Sequence, residues 1–284
     1  MSSEEENKMS NSTEWVQVGE LAKGFSTDSN SLQLVDDLTG KVLDFYMENG
    51  WMIRHSFHSA TSMTWEIMAG KSIGAKVTES YTATCIRDGI YFVDFLKSQE
   101  PTTAVSLVIN LQSNDGTAII NQMPSKEQTM RPAYQRVLSG ELLTAVDSVF
   151  LQFKMGTSYN PNSGHQVTDE MVGKRVQYTY SAHESYEHVY LNQHYYAWQC
   201  LKGVEQGLAD TDLCHYYKID EQLYLFVWRE KIIPTVGVIM VDLKQLKTTG
   251  KILGYHGTDF KKLNNFSVGA HAKILNETVH ILDN

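Results

Sequence analysis

Four histidines, His183, His188, His194 and His215, fall near Glu187, Asp210 and Asp212. Zinc and iron take such ligands, but no standard metal spacing is met. His183-Glu184 is followed by His188, one residue too far for a helical HExxH pair, and the context is that of a strand. No metal is expected. The segment Asp210–Tyr217 (DTDLCHYY) is the densest polar and aromatic cluster. On a strand, His215 and Tyr217 share one face, with Asp210, Asp212, Cys214 and Tyr216 on the other. A His and a Tyr facing an apolar lumen could act as general acid and base on a bound small molecule; the plainer alternative is a hydrogen-bonded core pair. Arg229 could bind a carboxylate or polarise a carbonyl, or it could pair with Glu230 or Asp212. Asp94 could be a base whose pKa is raised by burial. Glu66, beside Trp65, is a further acid–base candidate. The expected catalytic set is therefore Glu66, Asp94, His215, Tyr217 and Arg229. Tyr46, Trp65, Tyr81, Tyr91, Tyr196 and Trp228 are expected to contact the substrate. Serine and cysteine nucleophiles find little support: no GxSxG occurs, and Cys200 and Cys214 sit in apolar strands that would raise a thiol pKa.

Those side chains need a scaffold, and the chain supplies one twice. A shift of about 133 residues puts Gly40-Lys41 on Gly173-Lys174, His55 on His188, Trp65 on Trp198, Gly74 on Gly207 and Tyr91 on Tyr224. The same shift places Pro101-Thr102 on Pro234-Thr235, and Val105 and Val108 on Val238 and Val241. So long a period means two copies of a domain. The first copy reads as strands over Val42–Tyr46, Trp51–Phe57, Met63–Met68, Tyr81–Ile86, Ile90–Leu96, Val105–Leu111 and Val149–Met155. The second reads as Arg175–Tyr180, Tyr186–Leu191, Tyr195–Leu201, His215–Ile219, Leu223–Arg229, Val236–Leu243 and His271–Leu275. Asn49-Gly50, Asp88-Gly89 and Asn114-Asp115-Gly116 carry the signal of tight hairpin turns. Seven or eight antiparallel strands per copy suit a small up-and-down barrel, whose closure removes exposed edges. Several strands are apolar on both faces, so something must cover their outer surface: the other barrel, a second copy of the chain, or both. The expected organisation is a disordered or extended 1–30, a first barrel over 31–156 with a short helix near 133–146 at its mouth, a linker over 157–168, and a second barrel over 169–284.

Composition narrows the partners. The 284 residues carry 24 Lys and Arg against 33 Asp and Glu, a net charge of −9 with no basic cluster, which opposes nucleic-acid and anionic-membrane binding. Three cysteines without a CxxC pair argue against a disulfide framework. The polar first residues lack a secretory signal, and a cytoplasmic protein is expected.

The words Tyr190-Leu191-Asn192, Gly207–Asp212 (GLADTD), Leu225–Glu230 (LFVWRE) and Gly250–Tyr255 (GKILGY) closely resemble the C-terminal domain of the MoaF family. Gly40–Ile120 resembles that family's N-terminal domain. The resemblance implies an all-β fold of two tandem lipocalin/calycin-like antiparallel β-barrels related by internal duplication, and it carries a molybdenum-cofactor-biosynthesis name. Family members read Trp-His-Cys-Leu where this chain has Trp198-Gln199-Cys200-Leu201, and Gln199 cannot move a proton as that His could. No phosphate-cradling Gly loop or Walker motif accompanies the resemblance. The leading expectation is a cofactor-independent isomerase or cyclase that folds a hydrophobic metabolite inside a barrel and assists it with one or two side chains, as cofactor-free pericyclases with tandem lipocalin-like domains do. The alternatives are a non-enzymatic carrier of a small apolar ligand, or an accessory protein in amine or molybdenum-cofactor metabolism. A homodimer is compatible with any of these.

Overall fold

The computed structural model describes residues 14–26 and 28–281. The first copy forms β1 (Val42–Met47), β2 (Met52–Phe57), β3 (Ser62–Ala69), β4 (Lys76–Arg87), β5 (Ile90–Leu96), β6 (Thr103–Asn110), β7 (Asp115–Gln122) and β8 (Asp147–Met155), each antiparallel to the next. β8 returns to β1 through Phe45↔Met155 and Met47↔Phe153, closing the barrel. The second copy forms β10 (Lys174–Thr179), β11 (Ser185–Tyr190), β12 (Tyr195–Lys202), β13 (Ala209–Asp220), β14 (Leu223–Arg229), β15 (Thr235–Asp242), β16 (Lys247–His256) and β18 (His271–Glu277). It closes where β18 pairs with β10 and meets β16 at Lys247↔His271. Two strands are added outside this ring: β9 (Gln166–Val167) along β13, and β17 (Asp259–Val268) along β16. The protein is thus all-β, two closed eight-stranded antiparallel barrels in tandem.

The repeat holds at its offset through β5 and β14, then slips by one. Residues 97–102 join β5 to β6, and 230–234 join β14 to β15, one residue fewer. Val105, opposite Phe95, therefore corresponds to Gly237, opposite Trp228. The expected match of Val105 with Val238 fails: Val105 belongs to the first lumen, while Val238 lies on the outer face of β15.

Alternation along each strand sorts the apolar residues into three cores. Phe45, Phe57, Met63, Val93, Leu107 and Phe153 fill one lumen. Tyr178, Tyr190, Tyr196, Tyr216, Phe226 and Trp228 fill the other. The third core joins the barrels by their outer faces: Ile90, Phe92, Ala104 and Val108 meet Leu223, Leu225, Val236, Val238 and Met240. Barrel–barrel packing is what makes β5, β6, β14 and β15 apolar on both sides. Arg87 ties the same seam, donating to Asp242 at 2.6 and 2.8 Å and to Asp220 at 3.0 Å.

Outside the barrels, Val18–Phe25 forms α1, where disorder or extended chain was expected. Val18, Leu21 and Phe25 are buried against the second barrel, so a helix too short to persist alone is held by its packing. The expectation for residues 1–13 lies outside the described residues. The predicted helix near 133–146 shortens to α3 (Ala133–Leu138), preceded by α2 (Lys126–Thr129), whose Ser125 and Gln128 form a capping box.

Candidate functional site

The first lumen is not full. A cavity of about 180 Å³ lies among Phe45, Met47, Trp51, Ile53, His55, Trp65, Phe95, Lys97, Val105, Leu107, Ala118 and Leu151. Phe57, Met63 and Tyr81 pack in the same core without lining the cavity, and the Tyr81 hydroxyl donates to Ser59 O at 2.8 Å. His55 forms part of the wall, stacked on Phe45 at 4.3 Å. Burial pushes its pKa down to about 4, so the ring is neutral near pH 7. Among the described residues, His55 Nδ1 and Trp65 Nε1 have no hydrogen-bond partner. Lys97 stands at the mouth, its ammonium 5.7 Å from the Trp65 ring centre and ion-paired to Glu100.

None of the five expected catalytic residues enters a lumen. Glu66 points outward from β3, between inward Trp65 and Ile67, and pairs with Lys76 at 3.1 Å. Asp94 points from β5 at the second barrel. It accepts from Ser106 at 2.7 Å and Asn265 at 2.6 Å and meets Lys251 at 3.0 Å. It also borders an open groove of about 360 Å³, but its oxygens are already committed. His215 and Tyr217 take the outer face of β13 and pack on Phe150 of the first barrel, with ring centres at 4.6 and 5.4 Å. Arg229 is buried at the same seam and donates to Val146 O at 3.2 Å. The inward face of β13 is the other one, carrying Asp212, Cys214 and Tyr216. The sequence shows that two faces exist but not which faces the lumen, because the outer face here is buried too.

Among the expected contact residues, Trp65 lines the first cavity. Tyr81 and Tyr91 are inside the same barrel but in its packed part, and the Tyr91 hydroxyl donates to Asp37 at 3.2 Å. Tyr46 points outward from β1, between the inward Phe45 and Met47. Tyr196 and Trp228 lie inside the second barrel.

That second lumen is packed with aromatic rings and leaves about 30 Å³ between α1 and the side chains of Tyr186, His188, Trp198, Glu205, Trp228 and Glu230. Glu205 accepts from the Tyr186 hydroxyl at 2.9 Å, Glu230 from Trp228 Nε1 at 3.1 Å, and Asp212 from Trp198 Nε1 at 2.9 Å. Burial raises all three carboxyls, Glu205 to about 7. Sequence reasoning passed over Lys97 and Glu205, weighed Glu230 only as a partner of Arg229, and weighed His55 only as the twin of His188. The repeat held part of the signal, since Lys97 corresponds to Glu230 at the mouth and Glu79 to Asp212 beneath it.

Among the described residues no helix is long and apolar enough to cross a membrane, and no three His, Cys, Asp or Glu converge to hold a metal ion. The MoaF N-terminal domain model matches residues 13–125, and the MoaF C-terminal domain model matches residues 165–278. The Protein MoaF of Klebsiella aerogenes is 42% identical over 275 residues, spanning 96% of this chain and 99% of that protein. A solved structure of a candidate beta-lactamase from Burkholderia vietnamiensis aligns over 42% of this chain and 93% of its own, at 12% identity and a TM-score of 0.31, a likeness too low to bear on fold or function.

Proposed function

The chain belongs to the MoaF family, and we propose that its first barrel is a binding site for a small, largely apolar molecule about one ring in size. The observation that carries this is the cavity of about 180 Å³ walled by Phe45, Trp65, Phe95, Val105 and Leu107. An apolar engineered cavity of roughly 150 Å³ holds benzene, so a single substituted ring fits. His55 Nδ1 and Trp65 Nε1 offer hydrogen bonds to one polar group of that ligand, and Lys97 at the mouth favours an anionic end.

Binding is better supported than isomerisation or cyclisation. Glu66, Asp94, His215, Tyr217 and Arg229 all face away from the cavity, and His55, held near pKa 4, is a weak base at neutral pH. A pterin with its phosphate does not fit: one ring fills the space, and a single lysine is no phosphate cradle.

Calorimetric titration of the full chain with benzoate and with phenol tests the proposal. Both should bind saturably. Ala118→Phe places a ring in the cavity and should weaken both by more than about tenfold, or ~1.4 kcal/mol. Lys97→Met should weaken benzoate while sparing phenol. Absence of binding by either probe, or binding unchanged in Ala118→Phe, would contradict it.

A further inference from the structure

The second lumen gathers carboxyl groups with no cation among its lining residues. Glu205 and Glu230 line its residual space of about 30 Å³, and Asp212 lies beside them, close enough for its charge to raise Glu230. Glu184, 2% exposed, adds a fourth carboxylate under α1, with its Oε2 unpartnered among the described residues. The neighbouring cation is Lys231, whose ammonium is held outside by Asp210 and Thr211 O and reaches Asp212 only at 3.5 Å. From α1 the space receives Leu21 and Phe25, which bring no charge. The rest of the wall is mostly aromatic, Tyr180, Tyr186, Tyr196, Trp198 and Trp228, with Ile252 and His188 beside them.

A separate observation points to an occupant. His188, 4% exposed, lines the same space, and its Nδ1 has no partner among the described residues. Burial makes this imidazole neutral, with a pKa near 3, so it can present a lone pair. Buried carboxylates, aromatic faces and a free imidazole acceptor are together the complement of a compact cation with N–H donors. The carboxylates do not converge as metal ligands do.

We propose that the α1-covered end of the second barrel binds a small ammonium cation, with Glu205 and Glu230 as counter-charges, His188 as acceptor and the surrounding rings as its walls. The space suits a head group no larger than methylammonium, because a water-sized occupant needs about 10–15 Å³ on this scale. The site is distinct from the apolar cavity of the first barrel and does not depend on it.

Its filling is coupled to protons. In the empty site burial pushes the Glu230 carboxyl up and raises Glu205 to about 7, so that Glu205 is about half protonated near pH 7, with Asp212 and Glu184 shifted the same way. A bound cation favours their charged forms, so binding releases protons and tightens as pH rises.

The full chain is titrated with methylammonium chloride at constant ionic strength, sodium chloride serving as the control. Saturable heat, proton uptake by the buffer, and affinity rising several-fold between pH 6 and pH 8.5 are the expected results. The Glu205→Gln/Glu230→Gln double variant keeps the shapes and removes the charges, so it should fold and lose the response. No saturable binding by the native chain, an equal response to sodium, or methylammonium binding retained in the double variant would each overturn the proposal. The native-chain arm decides the matter even if the variant is unstable.

Discussion

The two barrels start from one plan and diverge inside. His55 and His188 occupy equivalent wall positions, as do Trp65 and Trp198. Around them the first barrel has Met63, Ala83, Val93 and Phe95 where the second has Tyr196, Tyr216, Phe226 and Trp228. Four enlargements in one lumen close it: about 180 Å³ in the first barrel against about 30 Å³ in the second. At the mouth, Lys97 faces Glu230 across the repeat, so the sign of the charge is reversed. A carboxylate below it is kept in both copies and does the same work: Glu79 accepts from Ser98 N at 2.9 Å and Asp212 from Lys231 N at 3.1 Å. Asp212 also satisfies its tryptophan, whereas Glu79 Oε1 and Trp65 Nε1 stay apart and unpartnered among the described residues. Duplication thus conserved the closure of each barrel and freed the lumen to change. A fold that is the same twice does not imply one function twice.

The largest effects should come from undoing the aromatic filling. Phe226→Ala removes a fully buried ring from the second lumen and should cost about 3–5 kcal/mol in urea unfolding. A cost below about 1 kcal/mol would mean that the second lumen is not tightly packed.

Asp94→Leu at the seam between barrels comes close behind. It strands the Lys251 ammonium, 1% exposed, and should destabilise by about 3 kcal/mol or more. Adding Lys251→Met should recover most of that loss. Loss of a ligand-dependent activity at unchanged stability would instead return Asp94 to a chemical role.

A pH series separates the buried histidines from the buried carboxyls by sign. His55 and His188, held near 4 and 3 by burial, bind protons less readily in the folded chain than in the unfolded one. They therefore lower stability as pH falls below about 6.5. Glu205, raised to about 7 by burial, holds its proton longer in the folded chain, so its contribution is lost as pH rises from about 4.5 through 7. Glu205→Gln should thus gain stability over the native chain progressively across that window and level off above it. A difference independent of pH would place Glu205 in water.

The smallest effect concerns a turn. Leu246 has φ 55° where the first copy has Asn114 at φ 59°. Leu246→Asn should stabilise by about 0.5–1 kcal/mol, read as a small upward shift in Tm.

That turn also shows where the sequence was readable. The first copy marks its hairpins with Gly50, Gly89 and Asn114, and all three adopt positive φ. The second puts Gln222 and Leu246 into the same left-handed conformation, so those two turns leave no signal. β16 was missed because Gly250 and Gly254 interrupt its pattern. Those glycines are needed: a Cβ at 250 would sit 2.1 Å from Val238 O, and one at 254 would sit 2.3 Å from Val18 Cγ2. Barrels, duplication and an apolar seam were legible from strand runs and the offset. The site was not, because strands buried on both faces lose the polar-out signal that orients them. His215, Tyr217, Arg229 and Asp94 were assigned to the lumen when they belong to the seam.

The central claim, one open apolar lumen and one filled lumen, is tested most directly by diffraction from a crystal of the full chain under xenon pressure. Xenon should occupy the first barrel among Phe45, Val105, Leu107 and Ala118 and be absent from the second. Xenon in the second lumen, or in neither, would contradict the account.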